Sequence, residues 1–267
     1  MWLWNFFFFI VNIASWNINS VRIRIDQVLE YLKEKKIDIL FLQEIKTEDK
    51  NFPYQDFKKA GYYAYVNGQK SYNGVAILSN QELVTDYNEF KDPLGQARFI
   101  STNINFKNKI ISLISIYLPN GNPINTDKYE YKKKWMESFE EFIKSKLKKN
   151  KNIIITGDFN IIPADNDVDN PEEWLNDALF KLEIRKKFRS ILNLGFKDGF
   201  RLFDNRGEQY TFWDYQQGSW QRNKGLRIDH YLISNELVDS LKTIEIDKYT
   251  RENQRPSDHV PIRCVLI

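Results

Sequence analysis

The chain reads as a single α/β domain. Short β-branched apolar runs, bounded by turn residues, alternate with amphipathic stretches from end to end. No internal repeat or low-complexity linker divides them, which argues against two separate units. At 267 residues the chain is long for an average domain but ordinary for one α/β or β-sandwich enzyme, and its 42% apolar content is enough for a large core.

Residues 1–11 open with Met1-Trp2-Leu3-Trp4-Asn5 and continue apolar to Val11, without the basic segment that begins a signal peptide. Such a stretch is also well short of the ~20 residues needed to span a bilayer, so no membrane partner is expected. Residues 1–11 read as an extension, and 12–267 as the catalytic domain, with its first core strand from Ile13 onward. Further strands are expected at 37–42, 75–78, 99–106, 110–118, 153–155 and 228–233. Of these, 99–106 and 110–118 suit an antiparallel pair turned by Lys107-Asn108-Lys109. The run from Pro261 to Ile267 suits a terminal strand that buries Cys264 as a structural thiol.

Val21, Ile25, Val28, Leu29 and Leu32 recur at helical spacing and predict a helix over 21–35. Trp135, Phe139, Phe142, Ile143 and Leu147 predict a second, with Thr126 or Asp127 able to cap its start. A third is expected within 176–192. Around the second helix, Lys132, Lys133, Lys134, Lys144, Lys146, Lys148 and Lys149 interleave with Glu137, Glu140 and Glu141. That mixture suits a solvated face better than a nucleic-acid patch.

Composition narrows the chemistry. With 39 Lys+Arg against 36 Asp+Glu, the net charge of +3 does not by itself argue for a polyanionic partner, though it allows a basic rim around an acidic metal pocket. Aromatic residues make up 15%, more than a core alone requires, and suit a stacking surface. One cysteine cannot form an internal disulfide, and two histidines exclude zinc held by a Cys/His cluster. The lack of disulfides suits a reducing cytoplasm.

One pattern recurs: an apolar strand ends and a polar cluster follows. Ile13-Ala14-Ser15-Trp16 leads to Asn17, and Leu40-Phe41-Leu42-Gln43 leads to Glu44. Ser115-Ile116 leads to Tyr117, and Ile155-Thr156-Gly157 leads to Asp158. Arg227-Ile228 leads to Asp229, and Pro256-Ser257 to Asp258 and His259. A carboxylate at the end of a buried strand is costly unless paired or bound to metal. Several in one domain point to a common rim, where Glu44, Asp158, Asp229 and Asp258 would meet. Like charges that close repel, so a divalent cation is their natural partner, and oxygen ligands favour Mg²⁺ or Mn²⁺.

Ser15-Trp16-Asn17-Ile18-Asn19, Leu42-Gln43-Glu44, Tyr117-Leu118-Pro119-Asn120-Gly121, Gly157-Asp158-Phe159-Asn160, Tyr210-Thr211-Phe212-Trp213-Asp214-Tyr215, Ile228-Asp229-His230-Tyr231 and Ser257-Asp258-His259 occur in one order. In this the chain resembles the bacterial exonuclease III and abasic-site endonuclease family, within the DNase-I-like endonuclease/exonuclease/phosphatase superfamily, from about residue 12 to the C-terminus. Gly-Asp-Phe-Asn and Ser-Asp-His occur across that superfamily. The Tyr-Leu-Pro-Asn-Gly and Thr-Phe-Trp-Asp-Tyr segments are particular to the exonuclease III branch.

The resemblance implies a sandwich of two packed mixed β-sheets flanked by helices, and a Mg²⁺-dependent phosphodiesterase, with Mn²⁺ able to substitute and one or two ions at work. Its substrate would be double-stranded DNA, cut 5′ to abasic sites or trimmed at 3′ ends, by a monomer in the bacterial cytoplasm. Asn17, Glu44 and Asp258 are then expected as metal ligands, with Asp158, Asn160 and His259 around a second ion position. Asp158 is expected to orient or deprotonate the attacking water, Asn160 to donate to the phosphate, and Tyr117 to hold the phosphate or leaving oxygen. Asp229 and His259 form the expected acid–imidazole pair, and His230 is structural. Trp213 is expected to line the pocket for a base-free sugar. Lys46, Tyr72, Asn73, Arg98, Asn120 and Trp220 are candidate DNA contacts. The rival readings are a relative acting on a lipid or inositol phosphate and a non-enzymatic binding protein; the segment 210–231 argues against the first, and intact Glu44, Asp158 and His259 against the second.

Overall fold

A strand buried at every residue needs cover on both faces, and β-branched sequence supplies several. The computed structural model describes residues 7–86 and 89–267. In chain order the described elements are β1 (Phe7–Phe8), β2 (Val11–Asn17), α1 (Ile25–Glu34), β3 (Ile39–Gln43), α2 (Tyr54–Lys59), β4 (Tyr63–Asn67), β5 (Val75–Ser79), β6 (Val84–Asp86) and β7 (Phe99–Phe106). There follow β8 (Lys109–Tyr117), α3 (Asp127–Leu147), β9 (Ile153–Asp158), α4 (Pro171–Trp174), α5 (Leu182–Asn193), β10 (Phe196–Asp198), β11 (Asp229–Ser234), β12 (Leu241–Ile246) and β13 (Ile262–Leu266). Strands β3, β5, β9 and β11 are buried throughout.

The strands form two mixed sheets. One runs β1-β7-β8-β9-β11-β10, with β6 also on β7; the other runs β12-β13-β2-β3-β5-β4. Between them lies a core of Ile13, Phe41 and Ile77 from one sheet against Ile104, Leu113 and Tyr231 from the other. The outer face of the first sheet packs Ile114 and Ile155 against Trp135 and Phe139 of α3 and Phe188 of α5. The outer face of the second packs Leu40 and Leu42 against Val28 and Leu32 of α1 and Phe57 of α2. Four layers result, helix, sheet, sheet, helix, as expected of a two-sheet sandwich.

Register brings the functional ends together. Asn17 pairs with Gln43 across the parallel β2 and β3. Tyr117 pairs with Asp158 across the parallel β8 and β9, and Asp229 pairs with Asp158 across β11 and β9. The polar residues at these strand ends therefore share one rim.

Local differences from the sequence reading have simple causes. The β7–β8 hairpin pairs Phe106 with Lys109, so Lys109 is a strand residue and the turn shortens to Lys107-Asn108. β2 starts at Val11, which is fully buried. α5 begins at Leu182 because Asp177 Oδ1 accepts the Leu179 amide at 2.8 Å, a local turn that competes with helix. Thr126 precedes α3, but its hydroxyl donates to Pro123 O at 2.6 Å and does not cap. Lys132 departs furthest from expectation. Far from being solvated, it is fully buried, since it shares the inward face of α3 with Tyr129, Trp135, Met136 and Phe139.

Candidate active site

Asn17, at the end of β2, is fully buried, and its amide nitrogen joins the two sheets. It donates to Glu44 Oε1 at 2.9 Å and to Asp158 Oδ2 at 3.0 Å, while its amide oxygen accepts the Asn19 backbone N–H at 3.1 Å. Glu44 sits just past β3 with φ +49°, a sharp turn that swings its carboxylate back over the strand ends. Lys46 pairs with Glu44 Oε2 at 2.8 Å. Burial presses the Glu44 carboxyl upward, but Lys46, the Asn17 amide and His259 outweigh it and hold the group below its ordinary value.

Asp158 is almost wholly buried, and its Oδ1 accepts the Asn160 backbone N–H at 2.8 Å. Burial is the main cause that raises its carboxyl to about 7; His259 opposes this, and Asp229 and Glu44 add to it. Across the rim, His259 Nδ1 meets Asp229 Oδ2 at 2.8 Å, while Nε2 lies 3.7 Å from Asp158 Oδ2. Burial alone would lower the imidazole, yet the Asp229 and Asp158 carboxylates prevail and raise it to about 10. The ring is thus an imidazolium donating through Nδ1, until a cation nearby opposes that charge.

Tyr117 is tied to Glu44 through its hydroxyl, and burial followed by the Glu44 and Asp158 charges holds the phenol well above its ordinary value. It is therefore a neutral donor. Arg98 stacks over its ring at 4.6 Å and donates to Tyr117 O at 3.1 Å. Asn160, with φ +48°, donates its amide to Leu118 O at 2.9 Å and accepts from the exposed Asn120 at 3.1 Å. One N–H of that amide thus remains for a ligand.

The residues fit a divalent cation. Glu44, Asp158 and His259 each offer a ligand atom, all within 4.8 Å of one another. Asp229 Oδ1 is buried beside them without a hydrogen-bond partner. Asp258 stands apart from that cluster: its Oδ1 accepts from Asn19 at 3.0 Å.

The expected DNA contacts divide. Lys46, Arg98 and Asn120 border the centre. Tyr72 is 72% exposed, and Asn73 is buried with its amide on Gln69 and Gln96. Trp220 is half-buried, edge-on to Trp213 at 4.8 Å. Trp213 itself is fully buried against Tyr210, Trp220 and Val260, so it offers no surface to a sugar. The ring beside the centre is instead that of Phe212, 5.0 Å from that of His259 and part-exposed. Neighbouring residues in extended backbone face opposite ways, and Phe212 bridges both Leu226 and His259. Strand alternation around 211–213 was the available signal, without the register needed to read it.

His230, adjacent to Asp229, faces the other way. Arg227 Nη1 lies 3.0 Å from its Nδ1, and its Nε2 lies 3.0 Å from Ile161 O. Arginine can only donate, so Nδ1 accepts and Nε2 carries the proton. Burial, reinforced by Arg227, pushes this imidazole down to about 4.

This rim of Asn, Glu, Asp and His at the ends of two stacked sheets has clear relatives. The model of the endonuclease/exonuclease/phosphatase family matches residues 14–259. The chain belongs to that family. It is 31% identical over 258 residues to an exodeoxyribonuclease III of Haemophilus influenzae, covering 93% of this chain and 97% of that one. Among solved structures, it is similar to a 3′ phosphatase from Neisseria bound to a product DNA hairpin, with TM-score 0.90, 34% identity, and 96% and 99% of the two chains covered. It is also similar to an AP endonuclease from Archaeoglobus fulgidus, with TM-score 0.89, 33% identity and the same coverage. These family members share the two-sheet architecture described above. Among the described residues, no helix is long and apolar enough to cross a membrane.

Proposed function

We propose that the protein is a Mg²⁺-dependent DNA-repair phosphodiesterase that cuts duplex DNA 5′ to abasic sites and removes nucleotides or blocking groups from 3′ ends. The observation that carries this reading is the meeting of Glu44, Asp158 and His259 within 4.8 Å, bridged by Asn17. The nuclease relatives favour DNA over a lipid or inositol phosphate.

Glu44, Asp158 and His259 would hold the ion, with Asn17 keeping the two carboxylates at their spacing. When bound, a divalent ion acidifies water and withdraws charge from a phosphoryl oxygen. Asp158 would orient the attacking water and accept its proton. The free N–H of Asn160 is the donor for a phosphate oxygen, worth most where charge develops, while His259 would face the ion through Nε2 and the Tyr117 hydroxyl, bonded to Glu44, would steady that ligand. Asp229 keeps His259 oriented through Nδ1. The Phe212 ring supplies an apolar wall suited to a sugar that lacks its base. Lys46, Asn120 and the exposed Tyr72 would hold the duplex without reading its sequence, while Arg98, buried and bonded to Tyr117 O, would support the Tyr117 ring.

The test gives the purified protein two labelled duplexes, one with a single abasic site and one with a recessed 3′ end, in Mg²⁺ or in EDTA. Metal-dependent cleavage 5′ to the abasic site is expected. If neither duplex is cut with any divalent metal, the reading fails, and phosphoinositides become the next substrates.

A further inference from the structure

Lys132 is the only lysine among the described residues that is fully buried, and neither hydrogen-bond partner of its amine is a carboxylate. The amine donates to Asn120 O at 2.9 Å and to Asn160 O at 2.6 Å. Burying an amine is unfavourable unless its hydrogen bonds return the cost, so both carbonyls must be held to it closely. They belong to the two loops that leave β8 and β9, the parallel strands ending in Tyr117 and Asp158.

Asn160 is bound to the same assembly through every polar group except one N–H of its side-chain amide. Its backbone N–H goes to Asp158 Oδ1, its side-chain amide to Leu118 O, and its side-chain oxygen accepts from Asn120. Lys132 takes its backbone carbonyl. Gly121 permits the arrangement. Its φ is +89°, and a Cβ there would lie 2.6 Å from Lys132 Cδ. The lysine stem passes directly beneath a position that only glycine leaves open.

We propose that Lys132 is a positioning residue of the active site: its amine bolts the loop after β8 to the loop after β9 and thereby holds the Asn160 amide where it meets the scissile phosphate. This rests on the reading of Asn160 as a phosphate donor given above. Lys132 touches neither substrate nor ion; it acts through Asn160.

The test is a double-mutant cycle on the abasic duplex. Lys132→Met keeps the stem and removes the donors. Its kcat should fall roughly 10–100-fold, the range typical of groups that orient an active-site residue, with KM within about threefold of wild type. In an Asn160→Ala background the same change should cost less than about twofold, because the group it positions is already gone. Lys132→Gln, which can satisfy one carbonyl, should fall between, and it carries the same cycle if Lys132→Met does not fold. An NMR arm needs no turnover. The side-chain amide signals of Asn160 should move in Lys132→Met, while those of the remote Asn12, bound to Lys35 O, stay in place. Wild-type kcat in Lys132→Met, a full loss repeated in the Asn160→Ala background, or unmoved Asn160 signals would each overturn the proposal. A wild-type protein that cuts no DNA would instead defeat the functional reading, and the NMR arm would still judge Lys132.

Discussion

Two clusters of buried charge lie on either side of strand β11, and they are built on opposite rules. At the rim, Glu44, Asp158 and Asp229 face His259 and Lys46. Behind it, Arg227 binds Asp167 at 2.6 Å and Asp198 at 2.7 Å, Arg201 also bonds Asp167, and His230 accepts from Arg227. The rear cluster is balanced, two guanidiniums against two carboxylates with a neutral imidazole, and needs nothing from outside. The rim has more acid than its partners satisfy, with Asp158 raised to about 7 and Asp229 Oδ1 unpartnered. Balanced buried charge is architecture, whereas unbalanced buried charge at a strand end is a receptacle for a cation and a source of chemistry.

The rim is chemistry and not architecture if Asp158 can be neutralised without loss of stability. Asp158→Asn should lower kcat on the order of 10²–10⁴-fold. It should leave the metal-free protein as stable as wild type or more so, because it relieves a repulsion. A large drop in melting temperature together with the lost activity would place Asp158 among the structural groups.

Arg227→Met probes the other side. It leaves Asp167 and Asp198 buried and short of their partner, so stability in urea should drop by roughly 3–5 kcal/mol. Folded molecules should keep a melting temperature that rises with added Mg²⁺, by simple binding linkage. Loss of that response in molecules that still fold would show that the clusters are not separate.

The two histidines sharpen the contrast through pH. His259 is raised to about 10 from an ordinary ~6.5, so its stabilising contribution is complete below pH ~6.5 and is lost as pH rises toward 10. His230 is lowered to about 4, so its contribution is present above pH ~6.5 and is lost as pH falls toward 4. Melting curves of metal-free protein should show His259→Asn flattening the alkaline limb and His230→Asn flattening the acid limb, by a few degrees each on the order expected for a chain of this size. Flattening of the same limb by both variants would contradict the separation.

The smallest effect is expected at Asp258, whose carboxylate touches Asn19 and lies outside the tight cluster. Asp258→Asn should cost less than about tenfold in kcat and raise the Mg²⁺ needed for half-maximal activity, as for loss of an outer partner. A loss as deep as that of Asp158→Asn would bring Asp258 into the inner set.

The α/β class, most strand positions and most residues at the rim can be read from local sequence pattern. Glu44, Asp158 and Asp229 were legible because each follows or opens a short apolar run, and the end of a buried strand is a local signal; that signal also chose Asp258, which lies outside the tight cluster, and only the family resemblance chose His259 over His230. Facing, by contrast, was decided only by the tertiary structure. Phe212 and Trp213 are adjacent rings, and the pairing of 212 with Leu226 and His259 sends one toward the centre and the other into the core. His230 and Asp229 are separated in the same way, by alternation along β11. Lys132 looked solvated because lysines flank it in sequence; its burial depends on two carbonyls contributed by loops 12 and 28 residues away. Composition and period report what a segment is, but the partners that satisfy a buried amine or turn a ring inward come from distant parts of the chain, and folding alone brings them there.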